Sequence, residues 1–124
     1  MAFHILVVDD DADVRDMLTR FLKRRGYAVD QAADGEEALR SLRNRDPDLM
    51  LLDIYLPKKT GLEVLREMKD AGLRVRTIAL SAMPDDQIVA SSLSLGAVSF
   101  MAKPFDFMDL TAQIDANLVA SLDA

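Results

Sequence analysis

Hydrophobic residues in this chain follow two patterns that alternate along its length. Short apolar runs without a helical stripe predict buried strands. These runs lie at residues 5–8, 27–32, 49–53, 75–80 and 98–101. Between them, apolar residues recur at helical spacing, and the set that follows the first run is Val14, Met17, Leu18, Phe21 and Leu22. Five strand–helix alternations predict an α/β fold, with a parallel sheet, right-handed crossovers and helices on both faces.

Acidic and turn-forming residues mark the ends of the five predicted helices. The predicted starts are Asp13, Asp34, Gly61, Asp85 and Asp106. The first four helices are predicted to end near Gly26, Asn44, Gly72 and Gly96. The predicted core positions of the last four helices are Ala38, Leu39, Leu42, Leu62, Val64, Leu65, Met68, Ile88, Val89, Leu93, Leu95, Leu110, Ile114, Leu118 and Leu122. The second strand is interrupted by polar residues, which predicts a position near a sheet edge.

Length and composition indicate one globular domain over residues 1–124. The chain has no cysteine, which excludes disulfides and thiolate metal sites. No apolar run reaches the roughly 20 residues of a membrane span, and the start of the chain does not resemble a signal peptide. We therefore expect a cytoplasmic protein with no membrane partner.

The net charge of −6 is unevenly distributed. Residues 77–124 carry one cation, Lys103, against six acids, whereas residues 1–76 carry 14 cations and 15 acids. Nucleic-acid binding needs clustered cations, so we expect no direct contact with nucleic acid. The basic run 23–25 is explained by the end of the first helix, where cations suit the helix dipole.

Chemically complementary side chains follow four of the five predicted strands. Asp9 and Asp10 follow the first strand, Asp53 ends the third, and Ser81 and Lys103 follow the fourth and fifth. The carboxyl ends of parallel strands meet at one edge of a sheet, so these side chains are expected to converge there. A single acid after a strand is more often a helix cap than a functional residue, and we interpret Asp11 and Asp13 as caps of the first helix.

Three carboxylates in one pocket repel one another unless a cation lies between them. Oxygen ligands without histidine or cysteine favour Mg²⁺ over zinc. A divalent cation, Lys103 and the hydroxyl of Ser81 around Asp53 suit phosphoryl transfer, in which Asp53 is the nucleophile and forms an acyl phosphate. His4 is the only histidine. It precedes the first predicted strand and is expected to take no part.

The chain resembles a receiver domain of two-component response regulators over essentially its full length. The residues that carry the resemblance are Val8-Asp9-Asp10, Leu52-Asp53 with Pro57 and Gly61 after it, Ser81-Ala82 and Lys103-Pro104. The resemblance implies the flavodoxin-like fold, a doubly wound five-stranded parallel sheet in strand order 2-1-3-4-5 with five helices.

The resemblance also implies roles for single residues. Asp53 would accept a phosphoryl group from a histidine kinase or a histidine phosphotransfer protein. Ser81 and Lys103 would contact the phosphoryl oxygens, beside the backbone amide of Ala82. The implied ligands of Mg²⁺, or alternatively Mn²⁺, are Asp9, Asp10, Asp53 and the backbone carbonyl of Tyr55. Such a protein catalyses only its own phosphotransfer and autodephosphorylation.

The implied output is a conformational switch. Phe100 matches an aromatic position that turns inward when Ser81 moves toward the phosphate, and the Lys103-Pro104 peptide bond matches one that is cis. The surface of the fourth helix, fifth strand and fifth helix would change and bind a downstream protein. Basic residues are absent there except for Lys103, which favours an apolar contact or a basic partner over a salt-bridged dimer.

Tyr55 and the first predicted helix each lead to a further expectation. Tyr55 lies two residues after Asp53, where its ring either shields the acyl phosphate from water or lies on the surface. The first predicted helix either buries all its apolar residues or exposes one or two of Arg15, Leu18 and Leu22 to a kinase.

Two other functions compete with that of a stand-alone receiver. One is a receiver cut from a longer response regulator with a DNA-binding or enzymatic output domain. The other is a phosphohydrolase that works through an aspartyl intermediate. That enzyme needs a second acid to protonate the leaving group, and Tyr55 occupies the obvious position for it.

Overall fold

A computed structural model describes residues 3–122, with side chains up to Val119, as five strands alternating with five helices. The strands are β1 (His4–Val8), β2 (Ala28–Ala32), β3 (Leu49–Asp53), β4 (Thr77–Ser81) and β5 (Ser99–Ala102). The helices are α1 (Ala12–Arg24), α2 (Gly35–Asn44), α3 (Gly61–Asp70), α4 (Asp86–Ser94) and α5 (Phe107–Leu122).

The five strands form one parallel sheet in the order β2-β1-β3-β4-β5. This confirms the predicted fold class, the strand order and the edge position of β2. In the register, Val8 lies opposite Leu52, Asp53 opposite Leu80, and Ser81 opposite Ala102. The carboxyl ends of β1, β3, β4 and β5 therefore meet at the same edge of the sheet.

Successive strand residues alternate between two hydrophobic clusters, one on each face of the sheet. Leu6, Leu52 and Ala79 pack on one face with residues of α2 and α3. Val7 and Leu51 pack on the other face with residues of α1 and α5. Because both faces are covered, β1, β3 and β4 are buried throughout, which explains their uninterrupted apolar sequences. No helix within residues 3–122 is long and apolar enough to cross a membrane.

Side-chain caps begin all five helices and fix where the chain leaves the carboxyl edge of the sheet. The capping residues are Asp11, Asp34, Thr60, Asp85 and Asp106. Each accepts a hydrogen bond from a backbone N–H of the first helical turn, and such a cap stabilises a helix by about 1 kcal/mol. The predicted capping role of Asp11 is confirmed, whereas Asp13 lies in the first turn of α1.

The structure corrects several details of the sequence prediction. Leu93, predicted to be a core residue of α4, is 46% exposed. His4 lies within β1 and does not precede it. The fourth strand lies at Thr77–Ser81 and not at 75–80, because its pairing with β5 continues to the end of the sheet, where Ser81 is opposite Ala102. The predicted core side chain of Leu122 and the terminal residues 1, 2, 123 and 124 lie outside what is described.

Candidate functional site

The fold brings two acids and a lysine from three strand ends into direct contact. Asp9 follows β1, and Asp53 ends the adjacent β3. The Nζ atom of Lys103, which follows β5, donates hydrogen bonds to Asp9 Oδ2 at 2.5 Å and to Asp53 Oδ2 at 2.8 Å. The predicted convergence of Asp9, Asp53 and Lys103 is therefore present as a three-residue ion cluster.

Backbone amides orient the two buried carboxylates. Asp53 Oδ1 accepts a hydrogen bond from the N–H of Tyr55 at 3.0 Å, and Asp9 Oδ1 accepts one from the N–H of Asp11 at 2.9 Å. Asp9 is 2% exposed and Asp53 is 6% exposed. Both carboxylates are therefore held in place from one side by the loop that follows their own strand, and from the other side by Lys103.

Burial and the neighbouring charges act in opposite directions on the titration of these groups. Burial raises the pKa of Asp53 above its ordinary value, the hydrogen bond from Lys103 lowers that pKa, and the charge of Asp9 raises it. Burial lowers the pKa of Lys103, but the hydrogen bonds to Asp53 and Asp9 outweigh burial, so the net shift is upward. Lys103 is accordingly the permanent positive charge of the cluster.

The three acids of the edge have the arrangement that a small hard cation requires. One carboxylate oxygen from each of Asp9, Asp10 and Asp53 lies within 4.8 Å of the others. Asp10 is exposed, whereas the other two are buried, so the group is open to solvent on the side of Asp10. Three carboxylates exceed the charge of one ammonium group, and oxygen ligands suit Mg²⁺. The residues present therefore fit the expected divalent cation.

The other predicted site residues surround this cluster. Ser81 is fully buried at the end of β4, its Oγ accepts a hydrogen bond from the N–H of Met83 at 3.0 Å, and its carbonyl accepts one from the N–H of Lys103 at 2.8 Å. Ala82 is exposed next to it. The Lys103-Pro104 peptide bond is cis, as expected.

Two aromatic residues differ in their surroundings. Phe100 on β5 is half-buried and packs against the core cluster that contains Ala79, its partner in the register. Tyr55 is 44% exposed, and only its backbone N–H is hydrogen-bonded to the site. Phe100 therefore contacts the core directly, whereas Tyr55 is largely accessible to solvent.

Helix α1 exposes different residues from those that we expected. Leu18 and Leu22 are completely buried, so the alternative in which α1 exposes one of these two residues is wrong. Met17 of α1 is a large apolar residue that is exposed, at 46%. Arg15 is half-buried, and its Nη1 donates to the carbonyl oxygen of Asp9 at 2.7 Å. Sequence reasoning missed this second cation near the site, because nothing in its helical spacing indicates a contact with the loop before the helix.

Comparisons with known proteins agree with the fold and the site. The family model for the response regulator receiver domain matches residues 5–115. The chain is 39% identical over 118 residues to the response regulator MprA of Mycobacterium sp. (strain KMS), covering 95% of this chain and 51% of that protein. It is 39% identical over 114 residues to the alkaline phosphatase synthesis transcriptional regulatory protein PhoP of Bacillus subtilis (strain 168), covering 92% of this chain and 48% of that protein.

A solved structure gives the same result. The CheY-like response regulator receiver domain protein of Methanospirillum hungatei JF-1 matches with a TM-score of 0.94 and 29% identity, covering 99% of this chain and 98% of that chain. The chain spans about half the length of the curated relatives that it matches. This chain belongs to the family of response regulator receiver domains.

Proposed function

We propose that this domain is a phosphoacceptor switch that receives a phosphoryl group on Asp53 from a histidine kinase or a histidine phosphotransfer protein. The observation that carries the proposal is the contact of Lys103 with both Asp9 and Asp53, with Asp10 at the open side. Receiver domains are signalling domains and not general enzymes. Any catalysis here is therefore limited to phosphotransfer to Asp53 and loss of that phosphoryl group.

Asp53 Oδ attacks phosphorus, the bond from phosphorus to the donor nitrogen breaks, and its electron pair returns to the donor imidazole. Bound Mg²⁺, or Mn²⁺ in its place, would neutralise the phosphoryl oxygens. Its ligands would be Asp9, Asp10, Asp53 and the backbone carbonyl of Tyr55. Lys103 supplies a second positive charge, and Ser81 and the amide of Ala82 donate hydrogen bonds to the remaining oxygens.

Phosphorylation is proposed to change the surface formed by α4, β5 and α5. Ser81 is bonded to the Met83 amide in the present state, so its movement toward a phosphate requires a change in the loop after β4. Phe100, which packs on the core beside Ala79, turns inward when that loop moves. The phosphoryl group thereby favours one of two pre-existing conformations through contacts that only that conformation provides.

The partner of this surface is proposed to be a protein with apolar or basic contacts. Exposed apolar side chains on or next to α4, β5 and α5 are Leu93, Val98, Met108 and Val119. The acids Asp86 and Asp109 lie on α4 and α5, and Lys103 is the single basic residue after Arg76. We propose that the domain itself makes no direct contact with nucleic acid, because this surface is acidic.

A second candidate is that the domain is the receiver part of a longer response regulator. The chain spans about half of MprA and PhoP, and PhoP is a transcriptional regulatory protein by name. In that case the surface of α4, β5 and α5 would act on an output domain of the same polypeptide. Reading the coding sequence beyond residue 124 distinguishes this candidate from the single domain at 1–124.

Phosphorylation is tested by incubating the protein with acetyl phosphate and Mg²⁺, followed by intact mass measurement. Wild type is expected to gain one phosphoryl group, and chelation of Mg²⁺ with EDTA is expected to prevent the gain. Asp53→Asn is expected to gain none, because an amide oxygen is a poor nucleophile. Asp70→Asn is the matched control, since Asp70 is exposed at the far end of α3.

Two outcomes would contradict the proposal. If Asp53→Asn gains a phosphoryl group as fast as wild type, the acceptor is another residue. If wild type gains no phosphoryl group, the proposed function is wrong. Continuous turnover of a small phosphate ester would favour the phosphohydrolase.

A further inference from the structure

The loop between β3 and α3 contains a turn that non-glycine residues rarely adopt. Lys58 has a φ of +65°, and the N–H of Lys59 donates to the carbonyl oxygen of Pro57 at 2.8 Å. This is a γ-turn with a positive φ at its central residue, which is rare and strained. Such a conformation persists only where the surroundings hold it in place.

The ends of this loop are closed on one another. The N–H of Gly61 donates to the carbonyl oxygen of Ile54 at 2.8 Å. A Cβ atom on Gly61 would lie 2.6 Å from the carbonyl oxygen of Asp53, so only glycine permits this approach. The turn at Lys58 therefore lies inside a closed loop that begins directly after Asp53, and a change in the turn must be absorbed by the few residues between them.

The start of α2 packs directly against this turn. A Cβ atom on Gly35 would lie 2.3 Å from the carbonyl oxygen of Lys59 and 2.9 Å from its carbonyl carbon. Next to it, Oδ2 of Asp34 lies 3.6 Å from the Nζ of Lys58. Asp34 is 8% exposed, and its Oδ1 accepts the N–H of Glu37 at 2.9 Å, which fixes the orientation of the carboxylate. One helix start thus contacts both the backbone and the side chain of the turn.

A residue of the proposed metal site lies in the same loop. Tyr55, whose carbonyl is a proposed ligand, comes between Asp53 and the turn, and its N–H donates to Asp53 Oδ1. We propose that Asp34, Gly35 and Lys58 are positioning residues that hold the loop so that the Tyr55 carbonyl faces the carboxylates. This inference rests on the proposed function and names the element that supports its metal site.

Removal of the Lys58 charge tests the inference, because a positioning role and a purely electrostatic role predict opposite changes in the affinity for Mg²⁺. Removal of a positive charge near an acidic site strengthens the binding of Mg²⁺ by Coulomb attraction alone. By contrast, displacement of the Tyr55 carbonyl, a proposed ligand, weakens the binding of Mg²⁺. Lys58→Ala loses the ion pair and keeps a Cβ atom at positive φ, whereas Lys58→Gly also loses the ion pair but adopts positive φ readily.

Binding of Mg²⁺ to the unphosphorylated protein is measured by calorimetric titration. We expect Lys58→Ala to weaken binding by about fivefold, which corresponds to a fall of about fivefold in the population of the competent loop. Lys58→Gly is expected to bind more tightly than Lys58→Ala. Gly35→Ala is expected to weaken binding, because its Cβ atom displaces the carbonyl of Lys59. Lys69→Ala, which removes the same charge at the exposed far end of α3, is the matched control.

A second measurement needs no metal. The amide resonances of Tyr55 and Lys59 are compared in the metal-free proteins, and Lys58→Ala and Gly35→Ala are expected to shift both. Far-UV circular dichroism and urea unfolding check that the variants are folded, and Lys58→Gly keeps the test valid if Gly35→Ala does not fold. Unshifted amides, or tighter Mg²⁺ binding by both Lys58 variants, would overturn the inference. Wild type that gains no phosphoryl group on Asp53 overturns the proposed function as well.

Discussion

Two polar clusters lie at opposite ends of β1. The amino-edge pair consists of His4 and Asp30, whose Nε2 and Oδ2 atoms are 2.7 Å apart. The carboxyl-edge cluster consists of Asp9, Asp53 and Lys103. In both clusters a side-chain nitrogen contacts a carboxylate, and in both at least one of the side chains is buried. The two clusters differ in the number of acids and in how exposed those acids are to solvent.

The amino-edge pair consists of a buried histidine and an exposed acid, and the buried Nδ1 atom of His4 has no hydrogen-bond partner among the described residues. Asp48 accepts the backbone N–H of His4 at 2.7 Å, and the Asp30 side chain is 51% exposed to solvent. The carboxyl-edge cluster has two buried acids on one ammonium group, with Asp10 as a third acid at its open side. A buried surplus of negative charge attracts a cation, whereas a single acid whose charge is solvated by water attracts one much less strongly. Surplus charge, and not the mere presence of buried ionisable groups, is what distinguishes the end of the sheet that carries the candidate site.

The largest expected effect comes from removing the counter-charge of the carboxyl-edge cluster. Lys103→Met leaves Asp9 and Asp53 buried without a cation, and we expect the free energy of unfolding to fall by about 3 kcal/mol in metal-free buffer. Added Mg²⁺ should restore part of the loss, and phosphorylation by acetyl phosphate should slow roughly a hundredfold. Urea unfolding with and without Mg²⁺ measures the first effect, and Lys69→Met is the control. An unchanged urea midpoint in metal-free buffer would contradict this account of the cluster.

The corresponding change at the other end of the sheet should affect stability alone. His4→Ala removes a buried side chain and its contact with Asp30, and we expect unfolding to become easier by about 2 kcal/mol. Mg²⁺ should stabilise this variant as much as wild type, and the rate of phosphorylation should not change. A loss of phosphorylation in the folded variant would show that the two ends are coupled, and the contrast drawn here would be wrong.

A hydrogen bond outside both clusters provides a reference for these predicted changes in the free energy of unfolding. Tyr27 Oη donates to Asp115 Oδ1 at 2.6 Å, and Tyr27→Phe is expected to cost about 1 kcal/mol. Burial and the hydrogen bond to Asp115 raise the pKa of Tyr27 above its ordinary value of 10.0. The stabilisation is therefore complete below pH 10.0 and is lost as pH rises through the higher folded-state pKa. Urea unfolding should show wild type and Tyr27→Phe converging in strongly alkaline buffer, and a constant difference would contradict the assignment.

The smallest expected effect concerns the exposed side of the carboxyl-edge cluster. Tyr55→Asn removes the exposed ring two residues after Asp53, and we expect the phosphoryl group to be lost about threefold faster, a change of roughly 0.7 kcal/mol in the barrier. Tyr55→Phe keeps the ring and should resemble wild type. Dephosphorylation is followed by intact mass, and equal rates in all three proteins would mean that the ring does not shield the acyl phosphate.

Most of the fold was predictable because its signals are local. The apolar run that ends at Asp53 identifies β3 without knowledge of any other element, since a strand covered on both faces needs no polar alternation. Helix starts such as Asp34 and Asp85 were equally readable, because a cap acts on its own first turn. Leu93 was misjudged because its helical position suggests the core, whereas α4 turns that position to solvent.

The candidate site was predictable only in part. Sequence reasoning grouped Asp9, Asp53 and Lys103 correctly, since the carboxyl ends of parallel strands share an edge. It could not identify the contact of Arg15 with the Asp9 carbonyl or that of Gly35 with Lys59, because both depend on how a helix start or side chain lies against a loop.

The sequence by itself determined which segments form strands and helices, which side chains end at the carboxyl edge, and which family the chain resembles. Only the tertiary structure decided that Lys103 bridges two acids, although 94 positions separate it from Asp9. It also decided that the start of α2 packs against the loop after Asp53 and that Leu18 and Leu22 are core residues. The physical reason is range: hydrophobic periodicity and capping act within a few residues, whereas charge pairing and close backbone contacts depend on the packed arrangement of distant segments.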